Sequence, residues 1–115
     1  MQYILDDIPP SNNRFIGRNA RFEYAEQKKI WEQMIFFCCR PRPETPLAHA
    51  RVTITYFFKD RRRRDPDNYS GKFILDGLVS AGILKDDNFQ CVELCLKAKF
   101  GCSKSQTKIE IEELK

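Results

Sequence analysis

From Ala50 to Phe58 apolar and polar positions alternate without a break: Val52, Ile54, Tyr56 and Phe58 face one way, Arg51, Thr53, Thr55 and Phe57 the other. A period of two over this length predicts a half-buried strand. The alternation returns over Gln90–Phe100, where Val92, Leu94, Leu96, Ala98 and Phe100 stand against Glu93, Cys95, Lys97 and Lys99. It returns again where Thr107, Ile109 and Ile111 alternate with Lys108, Glu110 and Glu112. A glycine-led loop, Gly101–Gln106, separates these last two segments, and they are expected to form an antiparallel hairpin. Gln2–Ile8 predicts a short first strand, stopped by Pro9-Pro10 and the turn-formers Ser11, Asn12 and Asn13.

Two segments carry a helical period instead. Arg21–Cys39 places Phe22, Ala25, Ile30, Trp31, Met34, Ile35 and Cys38 at helical spacing, with Glu23, Glu26, Lys28, Lys29 and Glu32 mostly opposite. Phe36 and Phe37 widen this apolar face, a breadth that suits either core burial or a dimer contact. Arg40-Pro41-Arg42-Pro43-Glu44-Thr45-Pro46 cannot continue the helix. Tyr69–Ala81 predicts a second helix with Phe73, Ile74, Gly77, Leu78 and Ala81 on one face, closed by Gly82. The order β-α-β-α-β-β predicts an α+β fold in which helices pack on a mixed sheet. No repeat, low-complexity segment or second domain interrupts residues 1–115, so one domain is expected.

Composition narrows the classes. With 42% hydrophobic and 31% charged residues the chain is of ordinary globular type. No window approaches the roughly 18 apolar residues of a membrane span, so no membrane partner is expected. Five cysteines, an odd number, and an opening segment that carries Asp6 and Asp7 point to a reduced, cytoplasmic protein with free thiols. Cys91, Cys95 and Cys102 fit no zinc spacing, and His49 stands alone. The net charge of +4 permits nucleic-acid binding without demanding it, but Arg61, Arg62, Arg63 and Arg64 are consecutive. Such a run gains nothing from self-repulsion, and a polyanionic partner accounts for it. It also reads as a solvated loop.

Directly after the arginines come Asp65, Pro66, Asp67 and Asn68, then Lys72, Asp76 and the pair Asp86-Asp87. Hard divalent cations take carboxylate oxygens, and magnesium commonly takes one or two from protein. Phosphodiester hydrolysis needs such an ion to activate water and to stabilise the leaving oxygen. The second helix carries the chain away by about 18–20 Å at 1.5 Å per residue. Five extended residues from Gly82 to Asp87 recover roughly 17 Å. A reversal after Gly82 would therefore gather Asp65, Asp67 and Asp87. Simpler readings stand beside this one. Asp67 or Asn68 would cap the helix; Lys72 and Asp76 would form a surface pair; Asp86-Asp87 would be a polar turn.

The ordered set Arg63-Arg64-Asp65-Pro66-Asp67-Asn68, Lys72, Asp76-Gly77-Leu78, Ala81-Gly82-Ile83 and Asp86-Asp87 resembles the RusA family of Holliday junction resolvases, as does the opening Pro9-Pro10-Ser11…Asn13-Arg14. The resemblance implies that Asp65, Asp67 and Asp87 bind magnesium, with manganese as a possible substitute, and that no small-molecule cofactor takes part. It implies that Lys72 neutralises charge on the phosphate in the transition state, although Lys72 stands one residue further from Asp67 than in the family's pattern. Asn68 and Asp76 would support the loop and helix, and Arg61–Arg64 would hold DNA. The implied activity is resolution of four-way DNA junctions by a homodimer, since paired symmetric cuts call for two related sites. A phage or prophage origin fits the family. Two other readings compete: a general structure-selective nuclease, and a nonenzymatic nucleic-acid-binding phage regulatory module.

Overall fold

A computed structural model describes residues 1–115. Its elements are β1 (Gln2–Leu5), α1 (Ala20–Cys38), β2 (Ala50–Phe57), α2 (Lys72–Ser80), β3 (Val92–Lys99) and β4 (Gln106–Glu113), with single 3-10 turns at Asn12–Arg14 and Pro66–Asn68. The expected α+β order is the observed one. No helix is long and apolar enough to cross a membrane.

The four strands form one mixed sheet in the order β1-β4-β2-β3. β2 runs parallel to β3, with Ala50 opposite Val92 and Phe57 opposite Lys99. It runs antiparallel to β4, with Ala50 opposite Glu113 and Phe57 opposite Gln106. The expected β3–β4 hairpin is therefore absent, because β2 lies between the two strands. Burial explains the choice: alternate residues of β2 (Ala50, Val52, Ile54 and Tyr56) are all buried, and Thr55 on its other face is 5% exposed, as suits a central strand. β3 buries only Val92 and sits at the edge. Between Lys99 and Gln106 the chain crosses the end of β2, a step of about 10 Å for two strand spacings. That crossing is pinned by Cys102 N–H donating to Phe58 O (3.0 Å), and Gly101 takes a φ of +68° there.

Both helices cover one face of the sheet. Tyr3, Leu5, Val52, Ile54, Ile109 and Ile111 meet Trp31 and Ile35 of α1 and Phe73, Ile74 and Leu78 of α2 in one core. α1 turns a narrower stripe inward than its apolar pattern suggests. Trp31 and Ile35 are buried, whereas Phe22 is 78% and Phe37 is 70% exposed. The opposite face of the sheet is open and polar. Arg51 bridges Glu93 (3.2 Å) and Glu112 (3.3 Å) across three strands there.

α2 begins later than its periodicity implies. Gly71, at φ +83°, precedes the helix and packs so closely on β2 that an added Cβ would lie 2.8 Å from Ile54 Cδ1. The residues before it, Pro66–Asn68, are drawn into their own short turn.

Candidate active site

The arginine loop leaves the C-terminal end of β2 and is more internally satisfied than its composition suggests. Asp60, just before the run, accepts from Arg64 Nη1 (2.7 Å), from the Arg62 amide (3.0 Å) and from Arg62 Nε (3.3 Å). These donors, Arg64 first, hold the Asp60 carboxyl well below the usual carboxylate range. Arg64 also stacks its guanidinium 4.1 Å over the Phe58 ring, leaving its side chain only 14% exposed. Arg61 lies against Gly101 in the β3–β4 crossing, and Arg63 Nε reaches Asp65 Oδ1 at 3.3 Å. Three of the four arginines, Arg62, Arg63 and Arg64, thus gain internal carboxylate partners, and Arg61 enters no ion pair. Arg61, Arg62 and Arg63 remain exposed and can meet a phosphate; Arg64 is a structural strut for the loop.

Neither Asp67 nor Asn68 caps α2, and Asp65 stands at the N-cap position of the Pro66–Asn68 turn without a side-chain capping bond. α2 has Gly71 at its N-cap position and no side-chain cap. The Asp67 carboxylate enters none of the hydrogen bonds, and its backbone oxygen instead accepts from Asn12 Nδ2 at 2.8 Å; the same nitrogen approaches Ser70 Oγ at 3.3 Å. The N-terminal Pro9–Asn13 segment is therefore docked on the acidic loop. With Ser11 and Asn13 on one side and Arg63, Arg64, Asp65 and Asn68 on the other, the two segments enclose an open cleft of about 430 Å³. Asn12→Ala is expected to cost the loop about 0.5–1.5 kcal/mol of local stability. Faster amide exchange at Asn68 and Tyr69, whose N–H groups close the Pro66–Asn68 turn, is the measurement that checks it.

Asp86 and Asp87 divide the work of their turn. Asp86 Oδ1 accepts the Asp87 amide at 2.7 Å and Oδ2 meets Asn88 Nδ2 at 3.3 Å, so Asp86 builds the turn. The Asp87 carboxyl is raised above the usual aspartate value, first by partial burial, then by hydrogen bonding with Asp86 and by the charge of Asp76. Asp76, on α2, is near enough for its charge to contribute to that rise. No lysine or arginine offsets this convergence, for neither Asp76 nor Asp87 enters an ion pair, and Lys72 at the start of α2 pairs with nothing, Asp76 included. Behind Asp76 the Tyr24 hydroxyl of α1 is buried without a hydrogen-bond partner, and burial followed by the Asp76 charge pushes its pKa up. Asp76 thus lies near both Tyr24 and Asp87. Tyr24, Asn12 and Asp60 were not singled out in the sequence.

The expected single pocket of Asp65, Asp67 and Asp87 is not assembled within one chain. Asp65 borders Leu96, Lys97 and Ala98 near the end of β3, whereas Asp87 borders Val92, Glu93 and Leu94 at its beginning. Four residues of strand separate these positions, about 13 Å at 3.3 Å per residue. No three histidine, cysteine or acidic side chains lie together in a group that could hold a metal ion. The cause is the crossover: after Gly82 the chain does not turn back toward Asp65 but runs beside Leu47, with Leu47 N–H donating to Ile83 O and Lys85 N–H to Leu47 O, both at 2.9 Å. It enters β3 from the end where β2 begins. Two half-sites result, Asp65/Asp67 beside the arginines and Asp76/Asp87 at the other end of the β3 margin.

The Asp76/Asp87 pair fits a hard divalent cation by its donor chemistry. Two carboxylates without a cationic partner converge, and magnesium needs no more than one or two from protein. Compared with known proteins, the chain matches no protein-family model and no curated protein sequence.

Proposed function

We propose that the protein is a magnesium-dependent endonuclease that cuts branched DNA as a homodimer, in the manner of RusA-type junction resolvases. The observation that carries this reading is the approach of Asp76 to Asp87 with no cationic side chain paired to either. Partial burial first, then Asp86 and the charge of Asp76, raise the Asp87 carboxyl, and a bound cation would favour its charged form. The exposed guanidinium groups of Arg61, Arg62 and Arg63 supply the matching chemistry for a phosphate backbone. Asp87 and Asp76 would hold magnesium or manganese, with Asp65 and Asp67 completing the acidic set. Once bound, the ion would lower the pKa of an attacking water and stabilise the leaving oxygen. Lys72, exposed and unpaired at the start of α2, is free to turn toward the charge that develops on the phosphate. Asn68 closes the turn that presents Asp67, its amide donating to Asp65 O at 3.0 Å.

Incubation of wild type and Asp67→Asn with a four-way junction, a matched duplex and a flap, with and without magnesium, tests the proposal. Paired nicks in the junction alone, requiring both the ion and Asp67, are expected. Cutting confined to linear duplex would leave a general nuclease instead. The separation of the two half-sites within one chain favours a second reading, a nonenzymatic nucleic-acid-binding module of phage regulatory type built on the arginine loop. That module would bind junction or duplex with undiminished affinity after Asp65→Asn or Asp87→Asn and cut nothing with either metal.

A further inference from the structure

Charge changes sign along the open face of the sheet, the face turned away from the helices. The strand registers set Glu93, Arg51 and Glu112 in one row across β3, β2 and β4, and Arg51 bridges both acids. Toward the other end of the strands the rows on this face read Lys97, Thr55 and Lys108, then Lys99, Phe57 and Gln106. Neither of these rows contains an acid. Lys97 and Lys99 are exposed and enter no ion pair. Lys108 lies 3.7 Å from Glu110 of the intervening row, and the Lys99 ammonium rests 5.7 Å from the centre of the Phe57 ring. Just past the strand ends the exposed Arg61 lies against Gly101, and it too enters no ion pair.

We propose that this end of the open face is a second surface for the backbone of duplex DNA, continuous with the arginine loop through Arg61, and that it holds a segment leading away from the acidic half-sites. The identity of the polyanion rests on the proposed function; the charge pattern does not. The half-sites lie along the β3 margin, whereas the lysine rows cross from that margin toward β4. DNA held there is DNA that the cleavage chemistry does not touch. Two strand spacings put the Lys97 and Lys108 backbones about 10 Å apart, and two residues of strand put Lys97 and Lys99 about 7 Å apart. A duplex carries one charge per roughly 1.7 Å of its axis, so a cluster of this width meets several phosphates at once. Lone surface lysines are commonly solvated and idle. Here the cations are gathered at one end, the acids are kept to the other, and the arginine loop continues the same sign. Lysines are mobile point charges, so the contact positions the duplex without reading its bases.

Two measurements, both made in EDTA so that no strand is cut, test the surface. In the first, wild type is acetylated with and without a saturating plain duplex, and each lysine is read by mass spectrometry. Lys97, Lys99 and Lys108 are expected to be protected, while Lys28 and Lys29 on α1 stay reactive. In the second, duplex affinity is followed against salt for Lys99→Gln with Lys108→Gln. Loss of two phosphate contacts is expected to lower the slope of log affinity against log salt by about 1.8. Lys28→Gln with Lys29→Gln makes the same change in net charge and is expected to leave the slope as it is; circular dichroism reports the fold of both variants. Bound duplex that leaves Lys97, Lys99 and Lys108 reactive overturns the surface while the arginine loop keeps its role. Equal slopes for the two variants overturn it as well, since net charge would then account for the effect. Protection by phosphatidylglycerol vesicles and not by DNA would make the face a membrane contact and overturn the proposal. If wild type binds no duplex and no junction, this surface and the proposed function fall together. If the lysines are protected and wild type cuts nothing with magnesium, the surface stands and the nuclease reading alone is lost.

Discussion

Asp87→Asn is expected to abolish magnesium-dependent junction cleavage by roughly 10³-fold or more, the scale of removing about 4 kcal/mol of transition-state stabilisation, while leaving the fold as stable as before or more so. The stability half of this expectation follows from sign. Burial and two neighbouring acids raise the Asp87 carboxyl in the folded state. The folded protein therefore holds the proton more tightly than the unfolded chain, and Asp87 contributes stability that is present at low pH. That contribution is lost as pH rises from the ordinary aspartate value through the raised one. At neutral pH the charged carboxylate opposes folding, and an amide in its place does not. Thermal melts from pH 3 to 8 should show a flatter profile for the variant than for wild type across that window. Added magnesium should raise the wild-type melting temperature, as any ligand of the native state does, and should do less for Asp87→Asn. A variant that loses stability at neutral pH and still responds fully to magnesium would remove Asp87 from the cation site.

Gly77→Ala is expected to destabilise the fold by about 1–3 kcal/mol despite the better helix propensity of alanine, because overpacking outweighs that gain. Gly77 lies in α2 where α1 crosses it. A Cβ there would overlap Ile35 Cδ1 and lie 3.3 Å from both Ile35 Cβ and Cγ1. Ile35 is fully buried, so it cannot swing clear. Because Asp76 adjoins Gly77, a shift of α2 also spreads the Asp76–Asp87 pair, and cleavage should fall with stability. Ile35→Val deletes the overlapping methyl. In a double-mutant cycle it should recover most of the loss, a coupling that independent sites do not show. Additive melting-temperature changes would mean that the helix crossing relaxes freely.

The elements were legible in the sequence wherever one face is buried. Val52, Ile54 and Tyr56 announce β2, and Ile109 and Ile111 announce β4, because alternation records the boundary between core and solvent. Alternation does not record which strand lies beside which. β3 and β4 are adjacent in sequence and opposite in direction, and only the burial of Thr55 between flanking strands reveals β2 as the partner of both. The α1 stripe is narrower than its apolar residues suggest: at 3.6 residues per turn Phe22, nine residues before Trp31, falls on the opposite side of the helix, and the adjacent Ile30 is turned about 100° away, so both stay outside the core. For the site, the ordered acidic and basic residues were visible while their grouping was not. Asp76 looked like scaffolding because its proximity to Asp87 is made by the return beside Leu47, a tertiary contact with no local signature. Asp60 did leave a signal, four residues before Arg64, the spacing at which a carboxylate can restrain a guanidinium.

The position of β4 between β1 and β2 has a bearing on how the protein is made. β1 meets only β4, from Gln2 opposite Glu110 to Leu5 opposite Thr107. The earliest strand to emerge during synthesis thus has no partner until nearly all of the chain has followed it. The β2-α2-β3 unit can assemble meanwhile, leaving the margin of β2 that awaits β4 open. Contacts this distant in sequence form slowly, so a nascent chain should remain exposed to chaperones and to premature association until its final strand slides home.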